Sequence, residues 1–232
     1  MASKPRKFSA EYYYHIYNCG VEKRKIFNND QDYIRLLDTI DFYRYEQKAS
    51  YVQFQNLNKE AKQVYTELHP RDSNHLNIRL VAYCLMPNHF HFLIKPAKKG
   101  SIPQFMSNIS NSYTRYFNIK NERLGSLFQG TYKAKEIPND ESLLQISRYI
   151  HLNPCKSRKA NLDGNLRPEN YPFSSYRNWI RTGLLNLKGL IFDKDEAWKC
   201  IGLANGTEAY KSFVEAKIDQ NETLGIGDLI FD

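Results

Sequence analysis

Alternation between apolar and polar positions is clearest in residues 81–96, VAYCLMPNHFHFLIKP. A continuous apolar run is interrupted by a Pro-Asn pair, after which polar and apolar residues alternate from His89 onward. Since this pattern is typical of two strands joined by a tight turn, we predict a β-hairpin. Side chains along a strand point alternately to its two faces, so His89 and His91 are expected on one face and Phe90 on the other.

Further periodic segments lie on both sides of this hairpin. Some alternate as strands do, and in others apolar residues recur every three or four positions, as in helices. The predicted elements are a strand over 11–18, a helix over 31–47 capped by Asp30, a helix over 101–119 capped by Ser101, a strand within 124–137 and a helix over 140–152 capped by Asp140.

The order of these elements predicts an α+β fold of the ferredoxin-like (RRM-like) βαββαβ type. In this fold two helices cover one face of an antiparallel sheet, and the third strand lies beside the first. His15 on the first strand is therefore expected near His89 and His91. Residues 49–77 are more polar, and we interpret them as an insertion that holds a helix near 57–68.

Length and charge divide the chain into two parts. The 232 residues are enough for one ordinary domain and an appendage, which we place at 1–180 and 181–232. Residues 193–232 contain nine acidic and four basic residues, a net charge of −5, and are expected to be helical. Because the whole chain has a net charge of +8, residues 1–192 carry +13.

Composition narrows the class of partner. The basic excess is interleaved with 17 tyrosines and 13 phenylalanines, which suits phosphate neutralisation combined with base stacking, although a solvated basic surface around a Tyr-rich core has the same composition. No stretch approaches about 18 uncharged apolar residues and the N-terminus lacks a signal-peptide pattern, so we expect neither a membrane protein nor an exported one. The four cysteines have no CxxC spacing, which favours a reducing cytoplasm over a disulfide framework or a zinc site.

The two histidines of the hairpin form half of a candidate metal site. Neutral imidazole is a common metal ligand, and a strand fixes the direction of both rings. The alternative is a pair of surface histidines on a half-exposed strand, and the spacing alone leaves both interpretations open. His15 is likewise either a further ligand or a hydrogen-bonded residue of its strand.

The segment 140–154, DESLLQISRYIHLNP, places a polar edge beside the buried face of its helix. At about 100° per residue, Tyr149 and Asn153 lie one turn apart on this edge. Pro154 disfavours helical geometry in the preceding residue, so Asn153 is expected at the end of the helix. Tyr149 fits either a core residue with a polar end or a chemically active phenol.

Taken together, the stretches YxLMPNHxH, RYIHLNP, LFQGxYK and YPFSSY in a basic chain of this pattern resemble the one-tyrosine HUH transposases, most closely the REP-associated (IS200-like) branch. The resemblance covers roughly residues 12–179, with the insertion and the acidic tail outside its core. It implies that His89 and His91 bind a divalent ion, Mg²⁺ or Mn²⁺, and that Tyr149 is the nucleophile. Asn153 would take the place of a third ligand, which is often Gln in the wider family.

The resemblance also implies a substrate and a reaction. The enzyme would cut and rejoin single-stranded or hairpin DNA, including palindromic repeats, through a 5′-phosphotyrosine intermediate, as a monomer or a homodimer. Basic residues around the site would contact the phosphates: Lys23, Arg24, Lys25, Lys95, Lys98, Lys99, Arg115, Lys133 and Lys135. Two other classes stay open, a non-catalytic nucleic-acid-binding module and a metal-dependent hydrolase that forms no covalent adduct.

Overall fold

The computed structural model describes residues 7–156, 166–181 and 192–218. The strands in this part of the chain are β1 Tyr13–Cys19, β2 Ile78–Met86, β3 His89–Pro96 and β4 Lys133–Ile137. The helices are α1 Asp30–Tyr43, α2 Tyr51–Gln55, α3 Lys59–Leu68, α4 Ser101–Lys120, α5 Asp140–Lys156, α6 Tyr176–Ile180, α7 Lys194–Leu203 and α8 Thr207–Glu215, with 3-10 turns at Val21–Lys23 and Pro168–Asn170. Among the described helices, none has the length and apolar character needed to cross a membrane.

The strands form one antiparallel sheet in the order β2-β3-β1-β4. β3 pairs with both β2 and β1, so the predicted adjacency of the first and third strands is confirmed. The register places Tyr17 of β1 opposite His91 of β3 on one side and opposite Lys133 of β4 on the other. The expected α+β, ferredoxin-like arrangement is therefore confirmed.

One face of the sheet is covered by α1 and α4, as predicted. β1 contributes Tyr14 and Ile16 to this core, and β3 contributes Phe90 and Phe92. The buried stripe of α4 consists of Ile102, Phe105, Met106, Ile109, Tyr113 and Phe117. Because each Å² of apolar surface removed from water contributes about 25 cal/mol, burial of these large side chains is the main force that holds both helices on the sheet.

The opposite face, which carries the histidines, packs against α5 to α8. Leu143, Ile146 and Ile150 of α5 lie in this second core, together with Ile201 of α7 and Tyr210 of α8. The acidic C-terminal residues therefore contribute apolar side chains to the same core as α5. The domain boundary near residue 180 stays a prediction.

A buried polar network fastens α5 to its neighbours. His151 Nδ1 lies 2.8 Å from Tyr210 Oη, and His151 Nε2 lies 2.8 Å from Ser175 Oγ. Tyr210 Oη also donates to Ser147 Oγ at 3.0 Å. Since all four side chains are fully buried, each polar contact here offsets the cost of removing these groups from water.

Three predicted helix caps are wrong by one residue. Asn29 Oδ1 accepts the Asp32 N–H at 3.3 Å, and Asn139 Oδ1 accepts the Ser142 N–H at 2.8 Å. The third helix, α4, follows Gly100, whose φ of 77° is left-handed backbone that glycine adopts without strain. In each case the residue predicted as the cap is instead the first residue of the helix.

The ends of two helices also differ from the predictions. α1 stops at Tyr43, four residues before the predicted end. α5 continues through Pro154 to Lys156, so the expectation that it ends at Asn153 is wrong. Leu152 and Pro154 are both buried, and this packing holds the chain in helical geometry against the local preference of a residue before proline.

Residues 49–77 hold two helices, α2 and α3, where one was predicted. The apolar side chains of the second helix are largely exposed, since Val64 is 53% and Leu68 is 72% accessible. Tyr65 makes the contact with the rest of the protein instead: its hydroxyl donates to Gln47 Oε1 at 2.9 Å, and its ring centroid lies 6.4 Å from that of Phe42 in α1.

Candidate active site

β3 carries both hairpin histidines in the interior of the sheet. Their side chains lie on the face that packs against α5, opposite Phe90, as the alternation predicts. His91 is 1% accessible, whereas His89 at the start of the strand is half-buried. The two ring centroids are 5.0 Å apart, with the planes nearly perpendicular at 86°. Two imidazoles therefore lie side by side at one position beneath α5.

Both ring nitrogens of His89 have oxygen neighbours. Nδ1 is 2.9 Å from Asn88 Oδ1 in the hairpin turn, and Nε2 is 3.3 Å from Asn153 Oδ1 on α5. The Asn153 amide donates through Nδ2 to the Tyr149 carbonyl at 3.2 Å, which directs its Oδ1 toward the histidine. His89 Nε2 and Asn153 Oδ1 are therefore presented next to each other as candidate ligand atoms.

His91 is held by a third histidine. Its Nδ1 lies 2.9 Å from His15 Nε2, and the two rings are stacked with centroids 5.1 Å apart. Its Nε2 is buried and has no hydrogen-bond partner among the described residues. Burial, together with His15 and His89, lowers the pKa of His91 well below its usual value, so the ring is neutral. A neutral, buried nitrogen of this kind is the form in which imidazole binds a metal ion.

These donors fit a divalent metal ion with two nitrogen ligands and one oxygen ligand. The described residues contain no group of three His, Cys, Asp or Glu side chains suited to a metal. The third donor that would lie at this site is Asn153 Oδ1, which is 3.3 Å from His89 Nε2. Imidazole favours Mn²⁺ and later transition metals over Mg²⁺. Because His89, His91 and Asn153 are all uncharged as ligands, a bound cation would keep its full positive charge for an anionic substrate.

Tyr149 projects from α5 onto two of the histidines. Its ring meets those of His91 and His15 edge-on, with centroids 5.4 and 5.8 Å away. The residue is 9% accessible, and its neighbours Ile146 and Ile150 are fully buried, so the helix fixes the direction of the phenol. The structure thus brings Tyr149, Asn153 and the hairpin histidines together; their chemical roles stay predictions.

Other side chains that could be mistaken for parts of this site lie elsewhere. Tyr113 and Tyr116 point into the opposite core, where their hydroxyls donate to a backbone carbonyl and to a carboxylate at 2.5 and 2.9 Å. His151 faces the C-terminal helices, and burial lowers its pKa to about 3. Arg148 also points there, with its guanidinium 4.0 Å from the Phe213 ring centroid. Both side chains therefore point away from Tyr149.

The nine basic residues predicted to contact DNA do not form one surface. Lys133 and Lys135 of β4 lie on the histidine face, opposite Tyr17 and His15 of β1. Arg115 is exposed on α4, which covers the other face. Exposed side chains also include those of Lys23, Lys25 and Lys99. Arg24, Lys95 and Lys98 form ion pairs with Glu22, Glu196 and Glu46.

Two residues next to the histidines were not among the predicted site residues. The Tyr17 ring lies 4.9 Å from His15 and 6.0 Å from His91. Alternation places Tyr17 on the His15 face, but only the register between β1 and β3 shows that it lies opposite His91. Asn88 is expected in a turn for conformational reasons, so its contact with His89 has no separate signal in the sequence.

Comparisons with known proteins bear on the family and on the fold. Residues 52–153 match the family model described as "Transposase IS200 like", and no curated protein gives a significant match. The matched range spans 52–77, most of the segment that we interpret as an insertion, and that interpretation stays a prediction.

Two solved structures are similar to the chain. A REP-associated tyrosine transposase bound to a REP hairpin is 15% identical, with a TM-score of 0.52, and the alignment covers 83% of this chain and 94% of that one. A candidate transposase from Deinococcus radiodurans R1 is 16% identical, with a TM-score of 0.35, over 65% of this chain and 93% of that one. The first likeness bears on the fold, and it agrees with the four-stranded antiparallel sheet and its helices.

Proposed function

Residues 52–153 match the IS200-like transposase family model, and from that match we propose that the protein cleaves and rejoins single-stranded DNA. Tyr149 is the nucleophile in this proposal, and His89, His91 and Asn153 hold a divalent ion, Mn²⁺ or Mg²⁺. The observation that supports it most directly is the position of the Tyr149 ring, 5.4 Å from a His91 ring whose Nε2 is buried without a partner among the described residues.

The reaction is an exchange of phosphate esters. The Tyr149 hydroxyl oxygen forms a bond to phosphorus while the bond to the 3′-oxygen breaks, which leaves a 5′-phosphotyrosine and a free 3′-OH. Another 3′-OH can reverse the step and join two strands, since the phosphotyrosine keeps the ester bond. A phenol has a pKa of about 10 in water, and a nearby cation favours loss of its proton.

The neighbouring residues orient the groups that act in this step. His15 contacts His91, Asn88 contacts His89, and the Tyr149 carbonyl accepts from the Asn153 amide. A divalent ion at this position, when bound, polarises a phosphoryl oxygen and stabilises the charge that develops during the exchange. The phenol lies on a helix whose neighbouring residues Ile146 and Ile150 are fully buried, and fixed positioning of a reacting group contributes much of the rate in comparable reactions.

Single-stranded or hairpin DNA, including palindromic repeats, is the substrate that we propose. The similar REP-associated transposase is bound to a REP hairpin, and residues 1–192 of this chain carry the basic excess. A single strand lets its phosphate reach the half-buried site and lets unstacked bases meet aromatic rings. We propose that the protein acts as a monomer or a homodimer.

The proposal is tested by trapping the covalent intermediate. The full chain is incubated with Mn²⁺ and a labelled single-stranded hairpin, and a denaturation-resistant adduct is sought by gel and mass spectrometry. The wild-type protein and the control Tyr12→Phe should form the adduct, because Tyr12 is 42% accessible and its hydroxyl has no role in the site. Tyr149→Phe should not form it.

The outcomes separate the competing functions. A nucleotide on the peptide that contains Tyr149 supports the transposase chemistry. An undiminished adduct in Tyr149→Phe, or a nucleotide on another tyrosine, contradicts the assignment of the nucleophile. DNA binding without cleavage favours a non-catalytic module, and cleavage without an adduct favours a hydrolase.

A further inference from the structure

A cavity of about 270 Å³ lies beside the histidines on the side toward β4. α5 packs on β2 and β3, whereas Lys133 and Lys135 of β4 border the same face with exposed side chains. The cavity is lined by Tyr17, Asn18, Cys19, Lys23, Gln129 and Lys133. Two lysines and no carboxylate are among these residues, so the cavity suits an anion. Its volume suits one nucleotide unit and is too small for a duplex.

Tyr17 connects this cavity to the candidate metal site. It lies opposite His91 across one pair of strands and opposite Lys133 across the next. The Lys133 Nζ is 6.0 Å from the centre of the Tyr17 ring, and the His91 ring centroid is also 6.0 Å from it. Neighbouring strands are about 4.8 Å apart, so a group bound over Tyr17 lies one strand spacing from His91.

The turn that supplies Lys23 has an unusual, tightly held backbone. Glu22 and Lys23 have φ values of 56° and 58°, a left-handed conformation that is uncommon for residues with a side chain. Gly20 donates its N–H to the Asn88 carbonyl at 2.9 Å, which ties the turn to the hairpin that carries His89. A Cβ on Gly20 would lie 2.4 Å from the Arg24 carbonyl oxygen, so only glycine fits. Strained backbone of this kind persists where the surroundings fix it, and it occurs often at functional sites.

We propose that this cavity binds the nucleotide that adjoins the reacting phosphate of a single-stranded DNA substrate. Lys23 and Lys133 contact its phosphate, and Tyr17 packs against its base or sugar. Cys19 Sγ donates to Gln129 Oε1 at 3.1 Å, so the amide nitrogen of Gln129 points away from the thiol. This nitrogen can then donate a hydrogen bond to the edge of a base. This inference rests on the proposed DNA-cleaving function, and it adds that the strand enters the site from the β4 side of the sheet.

The contribution of the two cavity lysines to DNA binding is tested by the salt dependence of the affinity. The full-length variants are Lys23→Gln, Lys133→Gln and the double variant, and the control is Lys59→Gln, an equal loss of charge at an exposed position of α3. A fluorescein-labelled oligothymidylate of about 12 nucleotides serves as the probe, and its affinity is measured by anisotropy across a range of salt concentrations with Mn²⁺ present. The slope of log K against log salt should become shallower by about 0.7 for each cavity lysine removed, and Lys59→Gln should not change it.

The position of the nucleotide is tested by cross-linking. Oligothymidylate that contains 4-thiothymidine is irradiated on the wild-type protein, and the cross-linked peptides are identified. Modification of residues 17–23 or 129–133 supports the cavity. Cross-links confined to other segments, or equal slopes for Lys133→Gln and Lys59→Gln, overturn it. Neither readout needs cleavage, so failure of the Tyr149 adduct and failure of this cavity are separate results.

Discussion

His15 Nε2 lies 2.9 Å from His91 Nδ1, and both residues are almost fully buried. For His91 to bind a cation through Nε2, its Nδ1 must carry the proton and donate it to His15 Nε2. We therefore predict that His15 is a positioning residue, which selects the ligand tautomer of His91. The sequence left open whether His15 was a ligand or a hydrogen-bonded strand residue, and the contact favours the second interpretation.

His15→Leu should weaken Mn²⁺ binding by about 10- to 100-fold, the usual cost of losing a partner that orients a metal ligand. The fold should be retained, because Leu fills most of the volume of the imidazole. Calorimetric titration with Mn²⁺ measures the affinity, and ¹⁵N NMR of the imidazoles reports the tautomer of His91. The control His75→Leu removes an exposed histidine and should leave both measurements unchanged. A normal His91 tautomer and normal affinity in His15→Leu would contradict the positioning role.

His89→Ala and His91→Gln should each abolish Mn²⁺ binding and DNA cleavage. Both changes remove one of the two imidazole donors, and a single imidazole with one amide oxygen is a poor site. Affinity for single-stranded DNA should fall much less, because many separate lysines and arginines supply it. Calorimetry, a cleavage assay and anisotropy check the three properties on the same samples. Full cleavage by either variant would show that the ion, if required, is bound elsewhere.

The hydrophobic pattern predicted which face each histidine occupies, but not what lies next to it. Alternation in β3 separates His89 and His91 from Phe90 because it depends only on strand geometry. The contact of His91 with His15 and Tyr17 depends on the register between β1 and β3, which is fixed by the whole core and by the turn between strands. Periodicity within one strand carries no information about that register.

The predicted first or last residue of a helix was wrong where neighbouring residues suit that position about equally and tertiary packing decides between them. Asn29 and Asp30 are both good caps, so the local sequence hardly distinguishes them. Burial of Pro154 keeps α5 helical past Asn153, and burial depends on residues far away in the chain. The apolar stripe of α3 that includes Val64 resembles a buried face, yet nothing in the pattern shows whether a partner surface exists.

Burial of His151 should make the stability of the protein depend on pH. Burial lowers the pKa of His151 to about 3, whereas a histidine in an unfolded chain has a pKa of about 6.5. Between these two pH values the unfolded state binds more protons than the folded state. The free energy of unfolding should therefore be fully retained above about pH 6.5 and fall as the pH decreases, by at most about 1.4 kcal/mol per pH unit from this residue.

His151→Gln should reduce that slope, because glutamine does not titrate. The variant should also be less stable at neutral pH, by about 1–3 kcal/mol, since Tyr210 and Ser175 lose a buried partner. Urea unfolding at about pH 7 and about pH 5 measures both effects. Equal slopes in His151→Gln and wild type would mean that other groups account for the acid sensitivity.

The charge of the C-terminal part is best tested by substitution, not by deletion. Ile201, Tyr210 and Val214 are fully buried in the core that α5 shares, so removal of α7 and α8 would expose apolar surface. A substitution at Glu196 removes one acidic charge and leaves α7 and α8 in place. Its Oε1 lies 3.2 Å from Lys95 Nζ, and its Oε2 accepts from a tyrosine hydroxyl of β1. The carboxylate therefore competes with any DNA phosphate for Lys95, one of the residues predicted to contact DNA.

Glu196→Gln should raise the affinity for single-stranded DNA and make the salt dependence steeper by about 0.7, because Lys95 becomes available to one further phosphate. The Lys95 and Glu196 side chains are only 25% and 12% accessible, so loss of this pair should cost about 1–3 kcal/mol of unfolding free energy. Glu208→Gln removes the same charge at an exposed position of α8 and controls for net charge alone. Anisotropy with the oligothymidylate probe measures both slopes. If the two variants change affinity equally, Lys95 makes no contact with DNA, and its place among the predicted contacts is wrong.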